Sequence, residues 1–317
     1  MTENNFIHNN PDFNEFVRIT AERLGTSEGI VEKDYWVTEV LRILVNSNNC
    51  EFLFKGGTSL SKGYGLIRRF SEDVDILVTS SKHELIGQST ANKLLKQMEI
   101  EACTTPGINL DTNHTGNFSG KSPPKRVSIL SYLKNASVDS GVLPFIKLEM
   151  SVHKGNFPSE KRPINSFIAT EILKTVPDRA NDFTNSQPFQ VNCLDPLRTF
   201  AEKVNAISSA HRTDELVQKV RHYYDLYYLL EYPLVSKRLN TEEHIRIKQS
   251  IRDIDAAFKQ DDKNHNYEQP GLSEAFSPKP DLLRELSQAY NASPIFYGEK
   301  PTFKEIMDKI NSDKERF

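Results

Sequence analysis

The sequence predicts an α/β fold, α+β in the segregated sense: a small mixed sheet flanked by helices and followed by a helical C-terminal lobe. Three observations predict it. Four extended patterns, "CEFLFKGG", "DVDILVTS", "RVSILSYL" and "PFIKLEMSV", fall between residues 50 and 153. Amphipathic helical patterns stand before and among them. Beyond about residue 190 the chain reads as helix almost throughout, which divides a first domain, 1–190, from a second, 191–317.

The first helix, "PDFNEFVRITAERLG", has a stripe of Phe13, Phe16, Val17, Ile19 and Leu24 and stops at Gly25. Ser27 caps the next, "EGIVEKDYWVTEVLRILVN", whose buried stripe is Val37, Val40, Leu41 and Leu44 with the single tryptophan, Trp36, beside it. "CEFLFKGG" is a short buried strand ending in glycines. "TSLSKGYGLIRR" reads as a helix weakened by Gly63 and Gly65, and "DVDILVTS" as a second strand. "SKHELIGQSTANKLLKQMEIEA" is an amphipathic helix, whereas residues 104–125, rich in Thr, Asn, Gly, Ser and Pro, read as an excursion without regular structure. "RVSILSYL" and "PFIKLEMSV" are expected to be neighbouring strands, "FIATEIL" a further extended segment and "VPDRANDFTNSQPFQ" a connection. In "CLDPLRTFAEKVNAISS" Asp195 is the cap and Pro196 the first helical residue. The polar "KQDDKNHNYEQPGLSEAFSPKPD" is a long loop within the helical part.

Composition removes several function classes. With 40 basic against 43 acidic residues the net charge is −3, so a uniformly basic nucleic-acid coat is excluded while a local basic groove is not. Cys50, Cys103 and Cys193 are widely spaced and form no CxxC pair, which argues against a disulfide framework or a zinc knuckle. The polar start and the lack of any membrane-length apolar run lead to the expectation of a cytoplasmic protein with no membrane partner.

The chemistry concentrates in "FKGGTSLSKGYGLIRRFSEDVDILV". Strand alternation puts Asp73 and Asp75 on one face, about 7 Å apart, where they repel unless a cation lies between them. Such a pair suits Mg²⁺, or Mn²⁺, shared with nucleotide phosphates. Gly56 and Gly57 let the backbone approach a ligand where strand gives way to helix, and Thr58 and Ser59 add hydroxyls to that turn. Plain N-capping by either hydroxyl is the competing account. The strict P-loop pattern is absent, because no glycine precedes Lys62 at the required place. In "FIKLEMSV" the apolar face of Ile146, Leu148 and Met150 leaves Lys147 and Glu149 together, so Glu149 joins the aspartates if its strand pairs beside theirs. A Lys147/Glu149 solvent face is the alternative. Lys55, Lys62, Arg68 and Arg69, with Lys121, Lys125 and Arg126, are candidates to line a groove for an RNA acceptor. His153 and His222 have no partner at metal-ligand spacing and carry no assignment.

"KGGTSLSKGYGLIRRFSEDVDI" resembles the opening motif of the AbiEii/AbiGii-type toxins, members of the polymerase-β-like nucleotidyltransferase superfamily. "VEKDYWVTEVLR", "IKLEM", "DPLRTFAEKVNAI", "RHYYDLYYLL" and "PTFKEIMDKI" also resemble the family, in its order, across most of the chain. The family's Gly-Ser is here Gly57 followed by Thr58 and then Ser59, which keeps a hydroxyl available. The resemblance implies a nucleotidyltransferase sheet, an abortive-infection or type IV toxin–antitoxin setting, and an antitoxin that need not bind the toxin. It implies transfer of NMP from an NTP to a hydroxyl, with the tRNA 3′ end or another RNA as acceptor and protein or small molecules as alternatives. With it, Asp73, Asp75 and Glu149 are the candidates for metal and catalysis, and Gly56, Gly57, Thr58, Ser59 and Lys62, with Lys203, those for the nucleotide. It also marks Lys203 and Asp225 as an active-site wall supplied by the helical domain, although Arg221, four residues before Asp225, offers an intrahelical ion pair instead. A nucleotide- or RNA-binding module on the same fold, without catalysis, is the second reading.

Overall fold

The computed structural model describes residues 5–47, 50–70, 73–79, 87–121, 124–133, 142–153, 157–258, 271 and 273–317. The chain divides into two compact units, one of residues 1–193 with 294–298 and one of residues 194–293 with 299–317.

The first unit opens with α1 (Phe13–Leu24) and α2 (Glu28–Asn46). Gly25 ends α1 in the left-handed conformation, φ 62°, and the Ser27 side chain accepts from the Ile30 N–H to start α2. Nearly every side chain of α2 from Ile30 to Leu41 is buried, charged ones included, and Trp36 is fully enclosed among Tyr35, Phe13 and Tyr132. Truncating a ring so enclosed costs about 3–5 kcal/mol. Next come β1 (Phe52–Lys55), α3 (Gly56–Lys62), β2 (Asp73–Thr79), α4 (Gln88–Ala102), β3 (Ile108–Leu110), β4 (Phe118–Lys121), β5 (Pro124–Tyr132), β6 (Phe145–His153), β7 (Ser159–Ile164), α5 (Phe167–Thr175), α6 (Pro177–Ala180) and β8 (Phe189–Leu194). They build one eight-stranded mixed sheet in the order β3-β5-β6-β2-β1-β8-β7, with β4 also on β5. β2 runs antiparallel to β1 and parallel to β6.

The second unit is helical: α7 (Pro196–Arg212), α8 (Val220–Glu231), α9 (Pro233–Ser236), α10 (Glu242–Phe258), α11 (Pro280–Ala292) and α12 (Phe303–Asp313). Asp195 accepts from the Leu197 N–H with Pro196 following, so α7 starts as its sequence dictates. Tyr223, Tyr224, Phe276, Tyr290 and Phe303 form an aromatic core in which Tyr223 donates to the Ala275 carbonyl and Tyr290 to that of Pro301.

Several local expectations are corrected. "FIATEIL" is helix α5, not strand: the Ser166 side chain accepts from the Ala169 N–H, and Ile168, Ala169 and Ile172 bury one helical face. Residues 104–125 are not an irregular excursion, since they contain β3, β4 and the start of β5. Their polar side chains tie them down: Asn117 accepts from the Ile129 N–H and donates to the Asp111 carbonyl. The helix after the glycine pair stops at Lys62 rather than continuing to Arg69, and Gly65 turns the chain with φ 62°. Two strands, β7 and β8, carry no alternation strong enough to announce them. Residues 80–86 at the start of the amphipathic helix, residues 259–270 of the long polar stretch and the Lys121 side chain lie outside the described part.

Candidate active site

In the first unit, register brings the carboxylates together. Asp75 pairs with Glu149 and Asp73 with Lys147 across β2 and β6, and Lys55 pairs with Asp75 across β1 and β2. Directly paired residues share a face, so Lys55, Asp73, Asp75, Lys147 and Glu149 stand on one side of the sheet. Phe54, Ile76, Met150 and Arg126 are on the other. There Arg126 meets Glu99 of α4 at 3.0 Å, which separates it from the carboxylate face where it was expected to help line a groove. Lys125, one residue earlier, is on the carboxylate face and reaches Glu149 at 2.9 Å.

The turn between β1 and α3 is packed onto β2. Gly56 has φ 78°, and a Cβ there would overlap the Asp75 carboxylate; a Cβ at Gly57 would overlap the Arg69 guanidinium. Only glycine permits both approaches. The Thr58 hydroxyl donates to the Asp73 carbonyl at 2.5 Å and the Ser59 hydroxyl to the Gly56 carbonyl at 3.2 Å. Both hydroxyls are buried and hold the turn to itself and to β2. Lys62 points inward: it meets Asp34 of α2 at 2.6 Å, with its side chain only 5% exposed, and also donates to the Asn165 carbonyl. Asp34 in turn accepts from the Phe167 N–H at the start of α5, so one buried carboxylate joins α2, α3 and α5. Arg69 is buried as well, against Gly57, and is no part of an open groove.

The electrostatics of the carboxylate face centre on Lys147. Its ammonium bonds Glu149, and although burial works against the charged form, Glu149, Asp73 and Asp75 raise its pKa. Asp73 and Asp75 bring hard oxygen donors to one strand face, the donor type that Mg²⁺ and Mn²⁺ take. Among the described residues no three His, Cys, Asp or Glu side chains are gathered as a metal-binding group, and Glu149 is engaged by two lysines. Burial opposes ionisation of Glu149 too, yet the bonds from Lys147 and Lys125 bring its pKa down to about 2 from the ordinary 4.5. A carboxyl held lower in the folded than in the unfolded chain stabilises the fold above about pH 4.5 and loses that contribution as pH falls toward 2. Glu149→Gln should therefore be less stable than the native chain by up to ~3 kcal/mol at pH 7. The gap should close as pH is lowered through that window; a constant gap in paired denaturation curves would contradict this account.

In the second unit, Lys203 of α7 meets Asp225 of α8 at 2.5 Å, the lysine 5% exposed and the aspartate fully buried. Asp225 thus has a partner on the neighbouring helix, beyond the intrahelical one its sequence offered. The His222 ring lies 3.4 Å from the Lys203 ammonium and 4.0 Å from the Asp225 carboxylate. Burial first, and then the Lys203 charge, lower the His222 pKa to about 3, so the ring is neutral at physiological pH. Sequence reasoning passed over His222 and Asp34. The signal for the histidine was its place three residues before Asp225; for the aspartate it was a charge inside a helix otherwise buried all round.

This is a mixed-sheet protein whose glycine turn and aspartate pair sit on adjoining strands. The family described as "Nucleotidyl transferase AbiEii toxin, Type IV TA system" matches residues 41–309, and the chain belongs to that family. Similar solved structures include MenT4, a nucleotidyltransferase toxin from Mycobacterium tuberculosis H37Rv, 14% identical, covering 87% of this chain and 98% of that one with a TM-score of 0.38. Another is an antigenic nucleotidyltransferase-like protein from Paracoccidioides brasiliensis, 16% identical, covering 71% and 93% with a TM-score of 0.32. No curated protein matches the chain.

Proposed function

We propose that this chain transfers a nucleoside monophosphate from an NTP to a hydroxyl acceptor, releasing pyrophosphate, and that the first acceptor to test is a tRNA 3′ end. The observation that carries the proposal is the packing of Gly56 against the Asp75 carboxylate, with Glu149 in register beside it. Asp73 and Asp75 would hold Mg²⁺ or Mn²⁺, which when bound neutralises triphosphate charge and polarises the α-phosphate. The backbone N–H groups from Gly57 to Ser59, fixed by the Thr58 bond to β2, present donors to the phosphates. The acceptor oxygen bonds the α-phosphorus, the bond to the β-phosphate bridging oxygen breaks, and pyrophosphate leaves with that electron pair. Glu149 is engaged by Lys147 and Lys125, so in this reading the hydroxyl proton goes to solvent. The role left to Glu149 is to hold Lys147 and Lys125 on the carboxylate face. Lys62, committed to Asp34, serves the turn from behind rather than touching phosphate.

In the same reading the protein acts in the cytoplasm as the toxin of a type IV pair, with an antitoxin that need not bind it directly. Among the described residues no helix is long and apolar enough to cross a membrane. Binding without transfer is the second reading, favoured by the engagement of Glu149 with two lysines. Incubation with each of four α-³²P-labelled NTPs, Mg²⁺ or Mn²⁺, and separate pools of tRNA, other RNA, protein and small molecules discriminates the two. Metal-dependent label on tRNA is the expected result. Label on protein or small molecules would move the acceptor. NTP binding by calorimetry with no label in any pool would establish the second reading.

A further inference from the structure

In the second unit, α7 and α10 line a pocket together with Phe317. Its volume is about 40 Å³, room for about three water molecules at the ~10–15 Å³ each requires. Phe200, Val204, Ile251 and Phe317 supply its apolar wall. The polar lining is dominated by donors and cations. His244 is 1% exposed, and its Nδ1 accepts from the Asn240 N–H, which puts the ring proton on Nε2. Among the described residues that buried Nε2–H finds no partner, and neither does the buried Ser208 Oγ. Burial, then the charges of Lys248 and Arg316, lower the His244 pKa to about 4, so the ring stays a neutral donor. Lys248 and Arg252 lie beside it, Arg212 is further along α7, and among the described residues no aspartate or glutamate lines the space. Lys248 gives one bond to the Phe317 main-chain oxygen at 2.9 Å and has two more N–H groups.

A buried donor without an acceptor costs about 1–3 kcal/mol, and two neighbouring cations repel. Both costs vanish when an anion enters. We propose that this cavity binds a small oxyanion, the phosphate or carboxylate head of a compact ligand, with His244 and Ser208 donating to its oxygens and Lys248 and Arg252 supplying charge. The apolar wall fits a short hydrocarbon body, and the volume is too small for a nucleoside, which separates this site from one for NTP. The next residue after Val204 in the reverse direction is Lys203, so the ligand would rest on the helix that carries the buried lysine.

Inorganic phosphate and acetate, titrated calorimetrically into the intact protein, separate the two sources of the head group. One of them should bind saturably at one site, shifting the His244 ring NH resonance. Ser208→Ala, which removes only a hydroxyl, and Arg252→Gln, at the half-exposed rim, should each weaken it at least about tenfold. Asp73→Asn should leave it unchanged. Absence of saturable binding by either probe, with the native fold intact, overturns the proposal. So does binding that persists in both cavity variants or disappears in Asp73→Asn.

Discussion

Asp73→Asn and Asp75→Asn should each lower the proposed nucleotidyl transfer by about 10³-fold or more while leaving the fold in place. The two aspartates share one strand face, and part of their mutual repulsion is already answered by Lys147, so losing one charge shifts apo stability little. Ligand linkage gives the sharper readout. Native protein with Mg²⁺ and NTP at 100 times Kd should gain about 2.7 kcal/mol, and the variants almost none. Gly56→Ala should reproduce the loss with both carboxylates still present, because its methyl would fall on the Asp75 side chain at a backbone φ of 78°. Near-native transfer by either aspartate variant would remove the metal-site assignment.

The second large effect is expected at Lys203 and Asp225. Leaving either charge buried without the other costs about 3–5 kcal/mol, so Lys203→Met and Asp225→Asn should both melt early. Lys203→Met combined with Asp225→Leu should recover most of that stability, since a buried pair replaced by apolar groups of similar size is often neutral. Activity should not recover with it. If the pair serves the reaction as one unit, transfer measured below all the melting temperatures is crippled in each single variant and little worse in the double. A double variant that regains both stability and transfer assigns the pair to folding alone, as would additive losses of turnover.

What could be read in advance depended on whether a residue's neighbours lie along the chain. Asp73 and Asp75 share a face because strands alternate, and α7 starts at Asp195 and Pro196 because caps are local. Glu149 needed one further fact, the parallel pairing of β2 with β6, which no local pattern contains. α3 has only seven residues, too few for a periodicity to show that Lys62 turns inward to Asp34 and not outward to solvent. Ile and Thr in "FIATEIL" favour strand on propensity, and the Ser166 cap with its buried face overrides them. The short strands β3 and β4 and the polar β7 pair at or near the sheet margins, where alternation is weakest.

The return of residues 294–298 to the first unit bears on when the protein can finish folding. The Phe70 N–H bonds the Ile295 carbonyl, the Tyr297 N–H bonds that of Arg68, and Arg69 bridges Phe296. The stretch just before the aspartate strand is therefore stitched by residues translated more than 220 positions later. A ribosome that has made the whole sheet and most of the helices has still not made these stitches, and an early stop codon omits them. Nascent and prematurely ended chains lack that support beside Asp73 until residues 295–297 have been made.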